Sequence, residues 1–186
     1  MTSIDAKEAA SALSDIEDIS RRVRQSRIYD LASQIMIMWG VLIVCGNLAD
    51  WASPRHGGPI WISVNGLGVL GSAVLSMFGR RRMGVRSFDL RMLAAFLLFF
   101  AFGLFCSGVL GHFGPRQIIT FWALYGMLFY AIAGLWFGYA FIVIALCTTA
   151  LTLIGYYYIG AAFLLWMAVV HGGGLVLGGL WMRRSS

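Results

Sequence analysis

Charged residues are scarce in this sequence, and their distribution excludes a soluble globular protein. Only 12% of the 186 residues are Asp, Glu, Lys or Arg, whereas 60% are hydrophobic. Residues 117–182 contain none of the four charged types, and this run of 66 residues far exceeds the roughly 20 that are needed to cross a hydrocarbon core. The composition is therefore that of an integral membrane protein, with too little polar sequence left over for a soluble catalytic domain.

Sequence motifs that would indicate catalysis are also lacking. The chain has no HExxH, no paired carboxylates and no nucleophile with a base at an obvious spacing. No Asp or Glu lies in the interior of a predicted span, since Asp30 and Asp50 are at the two ends of the first one, although cation-driven transporters usually keep an intramembrane carboxylate. Cys45, Cys106 and Cys147 lie in apolar runs without a CxxC spacing, so we expect reduced thiols. These absences predict a protein that is not an enzyme and holds no cofactor.

Six transmembrane helices are predicted when the apolar runs are divided at charged residues, Pro and Gly. They cover residues 28–51, 59–79, 91–112, 117–134, 139–155 and 161–182. Glycines recur at similar spacings in the second, fourth and sixth helices, which suggests three helical hairpins. The predicted fold is an all-α membrane protein in three parts: a cytoplasmic amphipathic helix over 1–27, a six-helix domain over 28–182 and a cytoplasmic basic tail over 183–186.

Basic residues lie almost entirely on one side of these six predicted spans. Only Arg55 and Arg116 fall on the other side. The remaining twelve are Lys7, Arg21, Arg22, Arg24, Arg27, Arg80, Arg81, Arg82, Arg86, Arg91, Arg183 and Arg184. Because basic flanking residues are retained in the cytoplasm, both termini are predicted to be cytoplasmic. The net charge of +6 therefore reflects topology, and direct binding of nucleic acid is not expected.

The segment before the first span has the pattern of an amphipathic helix. Ser14 and Glu17 have the spacing of a capping box, which is typical of a helix. The apolar residues recur at intervals of three, three and four: Leu13, Ile16, Ile19 and Val23. Two interpretations follow, an anchor that lies on anionic headgroups or a docking helix for a cytoplasmic protein.

His171 is the strongest candidate for a functional side chain because it lies near the middle of the sixth predicted span. An ionisable group at this depth faces the bundle interior or a polar cavity. It is followed by Gly172, Gly173 and Gly174, which permit close packing or a break in the helix. With Asn65 of the second span, these residues form a candidate ligand site.

Two other interpretations of His171 remain open. A neutral imidazole can be hydrogen-bonded to a neighbouring helix with a purely structural role. Alternatively, His171 and Met167, four residues earlier on the same helical face, are weak candidates for haem or copper binding. The other histidines, His56 and His112, fall outside or at the outer end of the predicted spans, which disfavours ligation by two histidines.

Three stretches resemble a family of small bacterial inner-membrane proteins with six helices. They are FWALYGML at 121–128, GYY at 155–157 and the ending GGGLVLGGLWMRR at 172–184. That family is largely uncharacterised and is often encoded beside a winged-helix transcriptional regulator; the three-hairpin pattern is also similar to that of six-helix acid-resistance membrane proteins. The resemblance implies a bacterial cytoplasmic-membrane location and a sensing or regulatory role.

The leading functional prediction is a non-enzymatic sensing or interaction component whose N-terminal helix contacts a cytoplasmic protein partner. The other predicted partners are membrane lipids and further copies of the same chain in a homo-oligomer. The alternative is a small transporter or ligand-binding bundle with a site around His171. The haem or copper interpretation is the second alternative.

Overall fold

The computed structural model describes residues 6–83 and 90–184, and these residues are helical almost throughout, with no strand among them. The first half contains α1 (Ala6–Ala52), a short 3-10 turn (Pro54–His56), α2 (Gly57–Met83), and α3 (Leu90–Phe105) extended by a π-helical turn (Cys106–Leu110). The second half contains α4 (Pro115–Phe137), α5 (Tyr139–Tyr158), α6 (Phe163–Met167), a π-helical segment (Ala168–Gly173) and α7 (Gly174–Arg184). We call the stretch Phe163–Arg184 the last span and its π-helical part the π segment.

Five helical stretches are long and apolar enough to cross a membrane, which confirms the predicted class of multi-pass helical membrane protein. They are Tyr29–Ala52, Pro54–Phe78, Pro115–Phe137, Tyr139–Tyr158 and Phe163–Arg184. The apolar part of the third predicted span is shorter, Leu97–Leu110. Arg183 and Arg184 of the predicted basic tail form the last residues of α7.

The predicted boundary between an N-terminal helix and the first span is absent from the structure. α1 is one helix of 47 residues, and it begins at Ala6. The physical reason is local, because residues 6–39 contain no Gly or Pro to end a helix and the first turns are rich in alanine. At 1.5 Å per residue the helix is about 70 Å long, more than twice the hydrocarbon thickness. We call residues 6–28 the N-terminal extension.

The most extensive packing is not within the three sequential hairpins that the sequence suggested. It joins α4 to α5 and joins α1 to the last span, whereas α2 packs mainly on α1. The tight α4–α5 turn uses Gly138, whose φ of 131° is favourable only for glycine. The buried core combines α1, α4, α5 and α7 through Tyr29, Met36, Ile43, Met127, Ala140, Phe141, Ile144, Ala145, Leu175 and Met182.

Both ends of the described chain lie at one end of this bundle. A Cβ built on Gly179 of α7 would lie 2.9 Å from the carbonyl oxygen of Ser33 in α1. Tyr29 and Met182 share the core cluster at the same level. We call this the terminal end of the bundle, and the N-terminal extension projects from it.

Candidate functional site

The backbones of α1 and the last span touch at two glycines. A Cβ on Gly40 would lie 2.7 Å from the carbonyl oxygen of Gly172, and a Cβ on Gly172 would lie 2.9 Å from that of Gly40 and 2.8 Å from the Val44 nitrogen. Real Cβ atoms do not approach backbone this closely, so only glycine fits at both positions. This contact fixes the depth and rotation of the π segment against α1.

His171 is held by its neighbours on the side of the last span that faces the space between α1 and α5. Gly172 faces α1, while Gly174 faces α5, where a Cβ would lie 3.4 Å from Thr148 Oγ1. At about 100° per residue, His171 lies between these two directions. The residue is partly buried, and within the described residues its imidazole makes no hydrogen bond.

Two side chains that face the same interior have buried polar atoms without partners. Asn47 is 1% exposed, and although its Nδ2 donates to the Ile43 carbonyl at 2.9 Å, its Oδ1 has no partner. Thr152 is fully buried, and its Oγ1 also has no partner. Leaving such a group unpaired costs about 1–3 kcal/mol, which makes each of them unusual in a packed core.

The helical register places these atoms on the faces of α1 and α5 that contact the last span. Asn47 follows Gly40 by seven residues, so it lies on the α1 face that contacts the last span. Thr152 follows Thr148 by four residues and shares its face of α5. We call Asn47, Thr148, Thr152 and His171 the midplane polar cluster. It contains no charged residue, so it suits water or a small uncharged molecule with donors to offer.

Asn65 is the one predicted ligand-site residue that the structure does not bring to His171. It lies on α2, where its Nδ2 donates to the Trp61 carbonyl at 2.7 Å. α2 packs against Met38, Trp39 and Gly46 of α1, whereas the last span packs against Gly40. In place of Asn65, the structure indicates Asn47. The sequence feature that could have indicated Asn47 is its position seven residues after Gly40 in the same apolar helix.

The remaining predicted residues of the last span have different environments. Met167 is fully buried. Gly173 contributes less to packing, because a Cβ there would meet only the Ala168 carbonyl of its own helix, at 3.9 Å. Within residues 6–83 and 90–184, no group of three or more His, Cys, Asp or Glu side chains is placed to hold a metal ion.

The N-terminal extension presents its predicted apolar stripe to the surroundings. Leu13, Ile16 and Ile19 are 63%, 65% and 62% exposed. The side chain of Val23 lies outside those that the structure describes. At the three positions whose side chains are described, the apolar stripe therefore does not pack against the bundle.

Comparison with known proteins finds no matching family model, no similar curated protein and no similar solved structure. The resemblance to small bacterial inner-membrane proteins consequently stays a prediction from the sequence pattern.

Proposed function

We propose that the chain crosses a bacterial inner membrane six times with both termini in the cytoplasm. Tyr29 at the start of the first span and Met182 near the end of the last span lie at the same end of the bundle, which supports an even number of crossings. α3 supplies the sixth, because it follows α2 at the terminal end and its Phe99 stacks on Tyr125 at 4.0 Å, beside the opposite-running α4. The sequence bias of twelve of the fourteen basic residues to one side of the predicted spans supports a cytoplasmic placement of that side.

We propose that the protein is a non-enzymatic sensing or interaction component, with the N-terminal extension as its contact for a cytoplasmic protein. The observation that carries this proposal is the uninterrupted α1 helix, which leaves Leu13, Ile16 and Ile19 exposed beyond the apolar span. An apolar stripe on a projecting helix fits the groove of a partner protein. A helix collinear with the span is poorly oriented to lie flat on headgroups, which disfavours the anchor interpretation.

Charge along the extension supports a different protein as the partner, in preference to a second copy. Acidic residues at positions 15, 17 and 18 lie farther from the bundle, and basic residues at 21, 22, 24 and 27 lie closer to it. Two parallel copies in one membrane would place the acidic groups side by side, which is unfavourable. The proposed partner therefore has an apolar groove bordered by basic residues.

α1 also supports a sensing role, because one rigid helix reaches from the midplane polar cluster to the extension. Asn47 lies in the cluster, and the same helix continues without a break to Ala6. A change in packing around Asn47 that tilts or rotates α1 would move the extension with it. Such coupling requires a two-state element that both sites bias, and α1 is the candidate.

A photoreactive amino acid placed at Ile16 of the full-length protein is expected to cross-link one discrete cytoplasmic protein in cells. Ile19→Asp should abolish that adduct, because a carboxylate in the apolar stripe is costly to bury in a groove. The measurement is the yield of the adduct after purification and its identification by mass. Deletion of Met1–Ser20 should remove the partner from the purified protein while leaving the bundle folded.

Ser14, on the opposite face of the extension, provides the matched control for both changes. The photoreactive group at Ser14 should give little adduct, and Ser14→Asp should leave the adduct from Ile16 intact. Equal adducts from the two faces, or adducts with lipid alone, would reject the docking role.

A small ligand-binding or transport bundle is the alternative function, and the unpartnered Asn47 Oδ1 and Thr152 Oγ1 are the observations that favour it. If the cluster holds nothing, Thr152→Val removes an unpaired hydroxyl at nearly constant volume, and we expect it to raise the free energy of unfolding by about 1 kcal/mol. The comparison is Thr120→Val, which loses a 2.9 Å bond to the Arg116 carbonyl and should be destabilised. A loss of stability in Thr152→Val as well would indicate a bound molecule and favour the alternative.

A further inference from the structure

The buried side-chain polar atoms that lack a partner, in the part of the chain that the structure describes, all lie in one half of the bundle. They are Asn47 Oδ1, Thr152 Oγ1 and Arg116 Nε. We call the end of the bundle opposite the terminal end the distal end. Arg116 lies at the distal end of α4, where its Nη2 donates to the Ile159 carbonyl just after α5. At 1.5 Å per residue, Asn47 and Thr152 lie about 8 Å and about 9 Å from the distal ends of their spans.

The side chains around these atoms face the core of the bundle. Asn47 lies four residues after Ile43 of the core cluster, so both are on one face of α1. Thr148 lies four residues after Ile144 of the same cluster, so it faces the core from α5. His171 lies about 12 Å from the distal end of the last span, which is about one turn deeper than Asn47.

Buried polar side chains therefore form a series from the distal end to the middle of the bundle. Thr120 is buried one turn below Arg116 on α4 and donates to the Arg116 carbonyl at 2.9 Å. We call the midplane polar cluster together with these two residues the polar column. In order of depth from the distal end, it comprises Arg116, Thr120, Asn47, Thr152, His171 and Thr148.

The terminal half of the core is apolar and has its polar groups satisfied where the structure describes them. Met36, Leu175 and Met182 are at most 2% exposed. The buried Ser33 hydroxyl in this half donates to the Asp30 carbonyl at 2.8 Å. A polar molecule inside the bundle would therefore gain hydrogen bonds in the distal half but not in the terminal half.

We propose that a file of water molecules enters the bundle at the distal end and extends along the polar column to His171. Arg116 Nε needs an acceptor and Asn47 Oδ1 needs a donor, and water supplies both in one molecule. Buried water molecules typically make about three hydrogen bonds to groups that have no other partner. The column contains no carboxylate, and its charged side chain is the arginine at its mouth, so a cation is repelled there.

The inference deepens the alternative function, because it names an occupant of the midplane polar cluster and the end from which that occupant enters. With the termini in the cytoplasm, as proposed above, the distal end lies on the other side of the membrane. The column then gives a sensing component access to that side, while α1 carries its N-terminal extension into the cytoplasm. This assignment of sides rests on the proposed topology, whereas the water file itself does not.

Radiolytic hydroxyl-radical labelling of the purified full-length protein tests the file, because a radical formed from an adjacent water molecule oxidises a buried methionine to its sulfoxide. Met167 and Met182 are both fully buried in the last span. Met167 lies one turn before His171, whereas Met182 lies two residues from the terminal end of the span and is thus nearer to bulk water. We expect Met167 to be oxidised severalfold faster than Met182. Met36, fully buried in the terminal half, should be oxidised as slowly as Met182.

Matched variants connect the labelling to the column. Thr152→Val should slow the oxidation of Met167, because valine offers water no hydrogen bond. Ser33→Ala removes a buried hydroxyl outside the column and should leave the oxidation of Met167 unchanged. A variant that merely loosens the bundle is recognised by faster oxidation of Met182, and Asn47→Leu then replaces it as the test.

Equal oxidation of Met167 and Met182 in the unmodified protein would overturn the proposal, as would equal slowing by Thr152→Val and Ser33→Ala. Oxidation of Met36 as fast as that of Met167 would show water in both halves and would reject entry from the distal end alone. Lower stability of Thr152→Val without preferential oxidation of Met167 would keep the alternative function, with a bound molecule other than water, and would reject the file.

Discussion

Gly172→Ala is expected to destabilise the bundle by about 2 kcal/mol, the scale of overpacking in a closely packed core. The added methyl group would lie 2.6 Å from Val44 Cγ2, 2.8 Å from the Val44 nitrogen and 2.9 Å from the Gly40 carbonyl oxygen. Two of these atoms are backbone, so a side-chain rotation cannot relieve the overlap and α1 must separate from the last span. The measurement is the free energy of unfolding in mixed detergent micelles.

Gly126→Ala provides the control for this change, since it is the same substitution in the interior of another span. A Cβ at Gly126 meets nothing within 4 Å, so we expect no loss and a gain of up to about 1 kcal/mol from helix propensity. Equal effects of Gly172→Ala and Gly126→Ala would contradict the close backbone contact on which the position of His171 depends.

Arg116→Met is expected to lower the free energy of unfolding by about 3 kcal/mol, because hydrogen bonds from charged groups contribute about 1.5–3 kcal/mol each. Arg116 is the second residue of α4, and its Nη2 donates to the carbonyl oxygens of Gly155 (2.9 Å) and Tyr156 (2.5 Å) in the last turn of α5 and of Ile159 just after it. Its guanidinium carbon also lies 4.5 Å from the centre of the Phe163 ring. The side chain thus caps the end of α5, where the Gly155 carbonyl also accepts from the Ile159 N–H at 3.0 Å and no further helical turn follows.

Arg55→Met is the comparison for Arg116→Met, because Arg55 is the other basic residue predicted on that side of the membrane and is exposed. It should change stability by less than about 0.5 kcal/mol. Arg116→Lys should recover part of the loss, since an ammonium group has donors but not the planar reach of a guanidinium. If Arg116→Met were as stable as Arg55→Met, the capping role would be wrong.

The positions of the spans followed from composition, because burying charge in lipid is so costly that charge-free runs mark the helices. Composition did not reveal that the N-terminal helix continues into the first span. The change from polar to apolar sequence near Ile28 alters the surroundings of the helix, but it does not alter the backbone conformation. α1 therefore continues where the sequence suggested two elements. A helix is ended by Gly, Pro or a cap, and none separates Ala6 from Trp39.

The candidate site was predictable in part. His171 stood out because an ionisable group in the middle of an apolar run is rare, and the glycines after it indicated close packing. Asn65 and Asn47 looked equivalent as single amides in apolar helices. Only the packing distinguishes them, because Asn65 lies on a helix that packs elsewhere on α1 whereas Asn47 shares the face of Gly40.

The sequence by itself determined that this is a helical membrane protein and where its long apolar runs lie, because these properties depend on the transfer of single residues between water and lipid. The tertiary structure decided which helices are neighbours. In lipid no hydrophobic force selects helix partners, so the fit of small residues and the capping of helix ends make the selection. The contacts of Gly40 with Gly172 and of Arg116 with α5 each join residues far apart in the chain, and no local pattern specifies either one.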